Sequence, residues 1–296
     1  MTRVQANLLL LVIALIWGSA FVAQAQGMGV IGPMMFTGIR FLVGALVVAP
    51  LAWREWQQLN AQQRAPGRRE AGKITALGVL MLMGAAMQQI GIVHTSVTNA
   101  GFLTALYVPL VPVLGIFFHR HWPHWSVWPG GLACLVGAFL LSGASSLQIG
   151  VGDAWVIASA LPWAVHVLMV GRVADKMAAP FCVASGQFFV TGLMALLWAL
   201  AFEPATLQAV QAAAWPILYT GVMSVGVAFT AQVVAQRYAH AADAAIILSS
   251  ETVFAALFGY WMMGERLSPS GLAGCSLIFI SMTLIQLIPV LKRRYS

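Results

Sequence analysis

Apolar residues run in long stretches along the whole chain, separated by short polar intervals. The pattern predicts ten spans, at 6–25, 33–53, 72–92, 98–117, 126–143, 152–172, 180–200, 215–235, 243–263 and 270–290. Most are about the 20 residues that a helix needs to cross a bilayer core. No segment alternates with period two, so a β-barrel is not indicated. A lipid-facing backbone must satisfy its own hydrogen bonds, which makes every span a helix. Pro33 and Pro180 stand at expected first helical positions, and Asp153 and Asp243 at expected N-cap or first-turn positions. The expected fold class is an all-α integral membrane protein with ten transmembrane helices.

Composition agrees. Of 296 residues, 60% are hydrophobic and 8% charged, against about a quarter charged in soluble domains. That balance excludes a soluble enzyme, a disordered chain and an anchor carrying a large aqueous domain. The net charge of +7 suggests a nucleic-acid partner when read alone. However, the Lys and Arg residues follow the loops between spans, with no basic block interleaved with stacking aromatics. Thirteen of the 15, from Arg3 through Arg54, Arg64, Arg68, Arg69, Lys73, Arg120, Arg172, Lys176 and Arg237 to Lys292, Arg293 and Arg294, fall on one side of the predicted layer. Only Arg266 falls on the other, and Arg40 lies within a span. The positive-inside rule therefore predicts cytoplasmic termini, as the even number of spans also requires. The first span resembles a secretory signal only in Ala23-Gln24-Ala25 and is expected to be a retained helix. Cys134, Cys182 and Cys275, an odd set inside apolar runs with no C-x-x-C, are expected to be small buried hydrophobes.

The chain repeats itself at an offset of 144–147 residues. Trp17 falls on Trp163, Pro33 on Pro180, Arg40-Phe41 on Gln187-Phe188, Gln88 on Gln232, Asn99 on Asp243 and Gly130 on Gly274. Five spans per half is an odd number, so the halves, 1–147 and 148–296, are expected in opposite orientations. Inverted repeats are characteristic of alternating-access transporters, with a site near the midplane between halves.

The chain resembles the ten-helix EamA-type exporters of the drug/metabolite transporter superfamily. The resemblance is carried by Ala14-Leu15-Ile16-Trp17-Gly18-Ser19-Ala20-Phe21-Val22, by Gly38-Ile39-Arg40-Phe41, by the run Leu248-Ser249-Ser250-Glu251-Thr252-Val253-Phe254-Ala255-Ala256-Leu257, and by Gly264-Glu265-Arg266-Leu267-Ser268. The first-half counterpart of the Gly-Glu element departs from it, reading His119-Arg120-His121-Trp122. The resemblance implies export of small metabolites across the bacterial inner membrane, most closely aromatic and other neutral amino acids. It implies a small-molecule substrate and membrane lipid as partners. No nucleic acid, cofactor or metal is expected, and the expected unit is a monomer.

The candidate substrate-binding residues are Trp17, Trp163, Gln88, Gln232, Tyr107, Glu251, His166 and Asn99. Trp17 and Trp163 lie at span centres, away from the interfaces indoles prefer; they fit either cavity walls or helix packing. Pro162 suggests a discontinuous helix beside Trp163. Glu251 is an intramembrane carboxylate, suited to a substrate ammonium, a coupling proton or a helix-to-helix lock. Gln88, Gln89 and Gln232 fit either substrate hydrogen bonds or interhelical ones. Asn99 and Asp243 also read as helix caps, His166 as a relay or a packed imidazole, and Tyr107 and Tyr219 as ligand donors or packing. Arg40 fits a carboxylate or phosphate site, but a structural ion pair is the commoner role. The cluster His119-Arg120-His121-Trp122-Pro123-His124-Trp125 reads as an interfacial anchor rather than a metal site, because Pro123 breaks helical pairing. The basic loop from Trp53 to Lys73 suits anionic lipid. A multidrug or lipophilic-cation exporter is the nearest alternative, with Glu251 and the indoles cradling the cation. A nucleotide-sugar or phosphorylated-metabolite carrier would need more cavity cations than Arg40. An intramembrane enzyme assembled from Ser249, Ser250, Glu251 and His166 is the remote alternative.

Overall fold

The computed structural model describes residues 1–63, 65–119, 122, 125–141, 150–203, 205–266, 268–278 and 280–281. The described residues form helices and connections, with no strand among them. The first three spans are α1 (Arg3–Met28), α2 (Pro33–Ala61) and α3 (Arg68–Ile92); the fourth is split into α4 (Val97–Thr104) and α5 (Tyr107–His119). The fifth, sixth and seventh are α6 (Val127–Leu141), α7 (Val151–Met177) and α8 (Pro180–Phe202). After the short surface helix α9 (Leu207–Ala212), the eighth span comprises α10 (Ala214–Tyr219), a π-helical segment (Thr220–Phe229) and α11 (Thr230–Ala235). The ninth is split into α12 (Ala241–Leu248) and α13 (Glu251–Met263). The described part of the tenth begins with α14, Pro269–Ile278. Eight spans are long and apolar enough to cross a membrane, and Val127–Gly137 and Pro269–Ile278 are shorter apolar helices at the fifth and tenth positions. Exposed Leu46, Phe117, Leu200 and Trp261 give the perimeter an apolar surface suited to lipid. The protein is a multi-pass membrane protein.

Helices overrun the predicted spans at their polar ends. Hydropathy marks only the stretch matched to hydrocarbon, whereas α2 continues through Arg54-Glu55 to Ala61. Thr2 caps α1 reciprocally with Gln5, and left-handed Gly264 (φ 71°) ends α13, where a side chain would be strained.

Polar contacts sort the helix ends into two faces. On the face that carries the N-terminus, Arg3 at the start of the first span pairs with Asp243 at the start of the ninth. There too, Glu55 near the end of the second accepts from the Cys182 amide at the start of the seventh, at 2.7 Å. On the opposite face, Glu203 at the end of the seventh accepts from the Met34 and Met35 amides at the start of the second, at 3.0 and 2.7 Å. Asn99 and Thr95 beside the start of the fourth donate to Asp153 at the start of the sixth, at 2.6 and 2.7 Å. The second and seventh spans thus begin on opposite faces, as do the fourth and ninth, and the first and sixth. This is an inverted repeat, visible in contacts that are themselves repeat-related: Glu55 with Glu203, Asn99 with Asp243.

The core follows the same exchange. Helix α2 packs along α8, α3 along α7, α1 along the eighth span, α2 against the π segment, α3 against α8, α1 against α13 and α4 with α5 against α7. Swapping the halves maps this set onto itself. Glycines permit the closest approaches: a Cβ at Gly38 would meet the Leu196 backbone nitrogen at 2.8 Å, and one at Gly192 would meet that of Leu42 at 2.8 Å.

One expectation is overturned. Pro162 does not interrupt its helix, because α7 runs through it from Val151 to Met177. The discontinuities lie instead at Ala105-Leu106 and at Ser249-Ser250, which are repeat partners at an offset of 144. Hydroxyls bond back to carbonyls there, at Ile247 and Ser249 beside backbone amides: Thr104 donates to the Ala100 carbonyl, Ser249 to Ile246, Ser250 to Ile247 and Thr252 to Ser249, at 2.7 or 2.8 Å. Cys134 is buried as expected, but Cys182 and Cys275 are half-buried.

Candidate functional site

A cavity of about 50 Å³ lies between the two halves, lined from the first, second, third, fourth, sixth, eighth and ninth spans. Its lining is largely paired by the repeat: Trp17 with Trp163, Phe21 with Val167, Gln88 with Gln232, Thr104 with Leu248 and Tyr107 with Glu251. Gln24, Arg40, Ser224 and Phe229 complete it. A buried water needs roughly 10–15 Å³ on this measure, so the volume corresponds to a few waters. This conformation is constricted around its centre.

The two indoles do not face each other across open space. Phe229 lies between them, stacked on Trp163 with centroids 5.7 Å apart and tilted against Trp17 at 4.5 Å. The Trp17 indole N–H donates to the Ser224 carbonyl at 3.3 Å, while that of Trp163 has no acceptor among the described residues. Gly84 makes the room for Trp163, since a Cβ there would lie 2.8 Å from indole Cε2. Gln88 donates to Thr104 at 2.8 Å, whereas the side-chain oxygen of Gln232 has no donor among the described residues.

Tyr107 and Glu251 are each the first residue of the second half-helix in a broken span. The Tyr107 hydroxyl donates across the repeat interface to the Ala245 carbonyl at 3.3 Å, next to the break in the ninth span. Glu251 sits at the N-terminus of α13, where the helix dipole favours an anion, although the Thr252, Val253 and Phe254 amides already donate to the Ser249 and Ser250 carbonyls. The guanidinium of Arg40 donates to Gln24 at 2.7 Å and sits over Phe36 and Phe41, 5.5 and 5.1 Å from the ring centroids. The expected ion pair is missing: no carboxylate among the described residues lies within 4.0 Å of it.

Trp17, Trp163, Gln88, Gln232, Tyr107 and Glu251 therefore converge on one cavity, and His166 and Asn99 are not in its lining. His166 lies behind it, its Nε2 3.0 Å from the Gln187 side-chain oxygen and its ring edge-on to Trp163. Asn99 is at a helix start on the opposite face, bonded to Asp153 and Thr95. Gln89 is fully buried, and neither of its side-chain amide atoms is bonded among the described residues. Tyr219 shares a hydrogen bond with Ser19. Ser249 and Ser250 spend their hydroxyl protons on helix carbonyls, and His166 lies against Gln187, so these three residues do not pair with one another. In the cluster at 119–125, Arg120, His121, Pro123 and His124 lie outside the described residues, as do Arg64 and residues 282–296.

Phe21, Gln24, Thr104, Val167, Ser224, Phe229 and Leu248 were not expected here. The offset of 144 that matches Gln88 with Gln232 also matches Tyr107 with Glu251 and Thr104 with Leu248. That signal was available for Thr104 and Leu248.

The sequence profile of the EamA-like transporter family matches residues 4–143 and again 150–287. The chain belongs to the EamA-like transporter family. Over 285 residues this family member is 28% identical to an uncharacterized transporter of Archaeoglobus fulgidus, spanning 96% of this chain and 87% of that protein. It is 24% identical over 281 residues to the uncharacterized transporter YoaV of Bacillus subtilis, spanning 90% of this chain and 91% of that one. A solved crystal structure superposes with a TM-score of 0.76 over 97% of this chain and 98% of its own, at 18% identity. At that identity the likeness is one of fold. The EamA-like transporter thus carries its paired cavity on a fold already seen in crystals.

Proposed function

We propose that this EamA-like transporter is a secondary exporter of amino acids, aromatic and other neutral ones, across the cytoplasmic membrane. The N-terminal face is cytoplasmic, as the basic loops favour. Substrate reaches the central cavity from that side and leaves when the repeats, 1–147 and 148–296, rock against each other. The supporting observation is the cavity lining: repeat-related residues from both halves surround one constricted space. Such a space opens to one face or the other when two packed bodies tilt about it. Indoles and Phe229 offer flat apolar surfaces to a ring or aliphatic side chain, and the glutamines offer hydrogen bonds to a polar head.

Trp163→Ala removes a cavity wall stacked on Phe229. In proteoliposomes it should reduce radiolabelled phenylalanine efflux at least ~tenfold, at an unchanged size-exclusion profile. Wild-type efflux from that variant contradicts the assignment of the cavity. A second reading, export of lipophilic cations, draws on Glu251 beside the indoles. Arg40 in the same lining counts against it, because a second cation there would be repelled.

A further inference from the structure

All eight acidic residues of the chain are described, and seven have partners within it. Glu55, Glu203 and Glu265 accept from backbone amides at helix starts. Glu70, Asp175 and Asp243 pair with Lys73, Arg237 and Arg3. Asp153 accepts from Thr95 and Asn99. Glu251, 4% exposed, has no hydrogen bond or ion pair among the described residues. Arg40, 3% exposed, has Gln24 as its hydrogen-bond partner, and its Nε has no acceptor among the described residues.

The buried cation without an acid and the buried acid without a cation line the same cavity. They do not pair with each other, since no nitrogen–oxygen distance between them is within 4.0 Å. Burying a charge without a counter-charge is costly, so a ligand bringing one would be held firmly. The repeat sharpens the point. Where the first half has the Arg40 guanidinium, the second has the Gln187 amide; where the second has the Glu251 carboxylate, the first has the Tyr107 hydroxyl. An otherwise paired cavity is thus given one positive and one negative pole.

We propose that Arg40 and Glu251 are the two poles of a zwitterion receptor. Arg40 takes the α-carboxylate of an amino acid, Glu251 takes its α-ammonium, and the unpaired oxygen of Gln232 accepts a further ammonium proton. This rests on the reading of the cavity as the transport site, and it makes both charges of the substrate a condition of recognition. The poles differ in depth. Arg40 is about 10 Å along α2 from the opposite face, and Glu251 about 18 Å along its span from that face. A bound zwitterion is therefore oriented, carboxylate toward the opposite face and ammonium toward the centre. A lipophilic cation answers Glu251 but leaves Arg40 without a counter-charge, and a phosphate ester does the reverse.

The test is competition for radiolabelled phenylalanine counterflow in proteoliposomes of the full chain, using phenylalanine, phenylalaninamide and N-acetylphenylalanine. The amide lacks the carboxylate charge and the acetylated compound lacks the ammonium. In the wild type each blocked analogue should need at least ~tenfold more ligand for half-inhibition than phenylalanine itself. Glu251→Gln should close that gap for N-acetylphenylalanine alone, and Arg40→Gln for phenylalaninamide alone. Equal competition by all three in the wild type overturns the proposal, and that panel needs no variant to fold. Two folded variants that weaken all three ligands alike, without the crossover, overturn it too. If phenylalanine is carried but the analogues compete equally, only the zwitterion receptor falls. If a phosphonium cation is carried and phenylalanine is not, the export reading falls with it.

Discussion

Gly84 shapes the cavity by having no side chain. The Trp163 indole occupies the space a Cβ would take, 2.8 Å from its Cε2. Gly84→Val should push the ring toward Phe229, a shift readable in the emission of a variant keeping Trp163 as its sole indole. Efflux should fall severalfold, as overpacking of a close-packed site displaces neighbours rather than compressing them. Unchanged emission and efflux would place the ring elsewhere. Much at this scale was legible in the sequence, and the reason is physical. An indole, an amide or a carboxylate at the centre of an apolar span is costly unless it has a purpose, and the repeat offset pairs Trp17 with Trp163 and Gln88 with Gln232. Phe229 was not legible. Its repeat counterpart is Ala85, and one phenylalanine in an apolar span looks like any lipid-facing residue. Arg40 was legible as a buried cation but misjudged in its partner, because a sequence does not show that seven of the eight acids are engaged elsewhere.

At the scale of helices, carboxylates hold the starts of α2 and α8. Glu203 takes two amides of α2, and Glu55 takes one of α8. Both helices begin with proline and have no side-chain cap of their own, so a residue from the other half supplies the acceptor. An N-terminal cap contributes about 1 kcal/mol, with more where the dipole meets a full charge. Glu203→Ala should therefore lower unfolding stability in detergent by about 1–2 kcal/mol, and Glu55→Ala by about 1 kcal/mol. Equal loss in both, or none, contradicts the counting of amides. The ten spans were read from hydropathy with few errors at their centres, because hydrocarbon thickness fixes a minimum apolar length. Their interruptions were not. Pro162 is the residue type that breaks helices, yet α7 absorbs it, while the actual breaks lie where Thr104, Ser249, Ser250 and Thr252 bond back to carbonyls. A hydroxyl in an apolar span gives no hydropathy signal of that choice.

Across the whole molecule, the halves are tied at both faces. Arg3 and Asp243 join them on the N-terminal face. Asn99 with Asp153, and Glu265 with the Val97 and Thr98 amides, join them on the other. The constricted cavity lies between these two sets of ties, and the proposed alternating access requires them to open in turn. Under that proposal the face that opens exposes Gln88 and Gln232, the amide pair that the two halves give to the cavity lining. Single cysteines at those positions, in a chain whose Cys134, Cys182 and Cys275 are replaced, make the central claim measurable. A membrane-impermeant thiol reagent is added to one side or the other of oriented vesicles, with and without phenylalanine. Labelling of both Gln88→Cys and Gln232→Cys from either side, slowed at least ~threefold by phenylalanine, is the predicted result. Labelling confined to one side, or rates that phenylalanine leaves unchanged, would contradict an alternating amino-acid site between the halves.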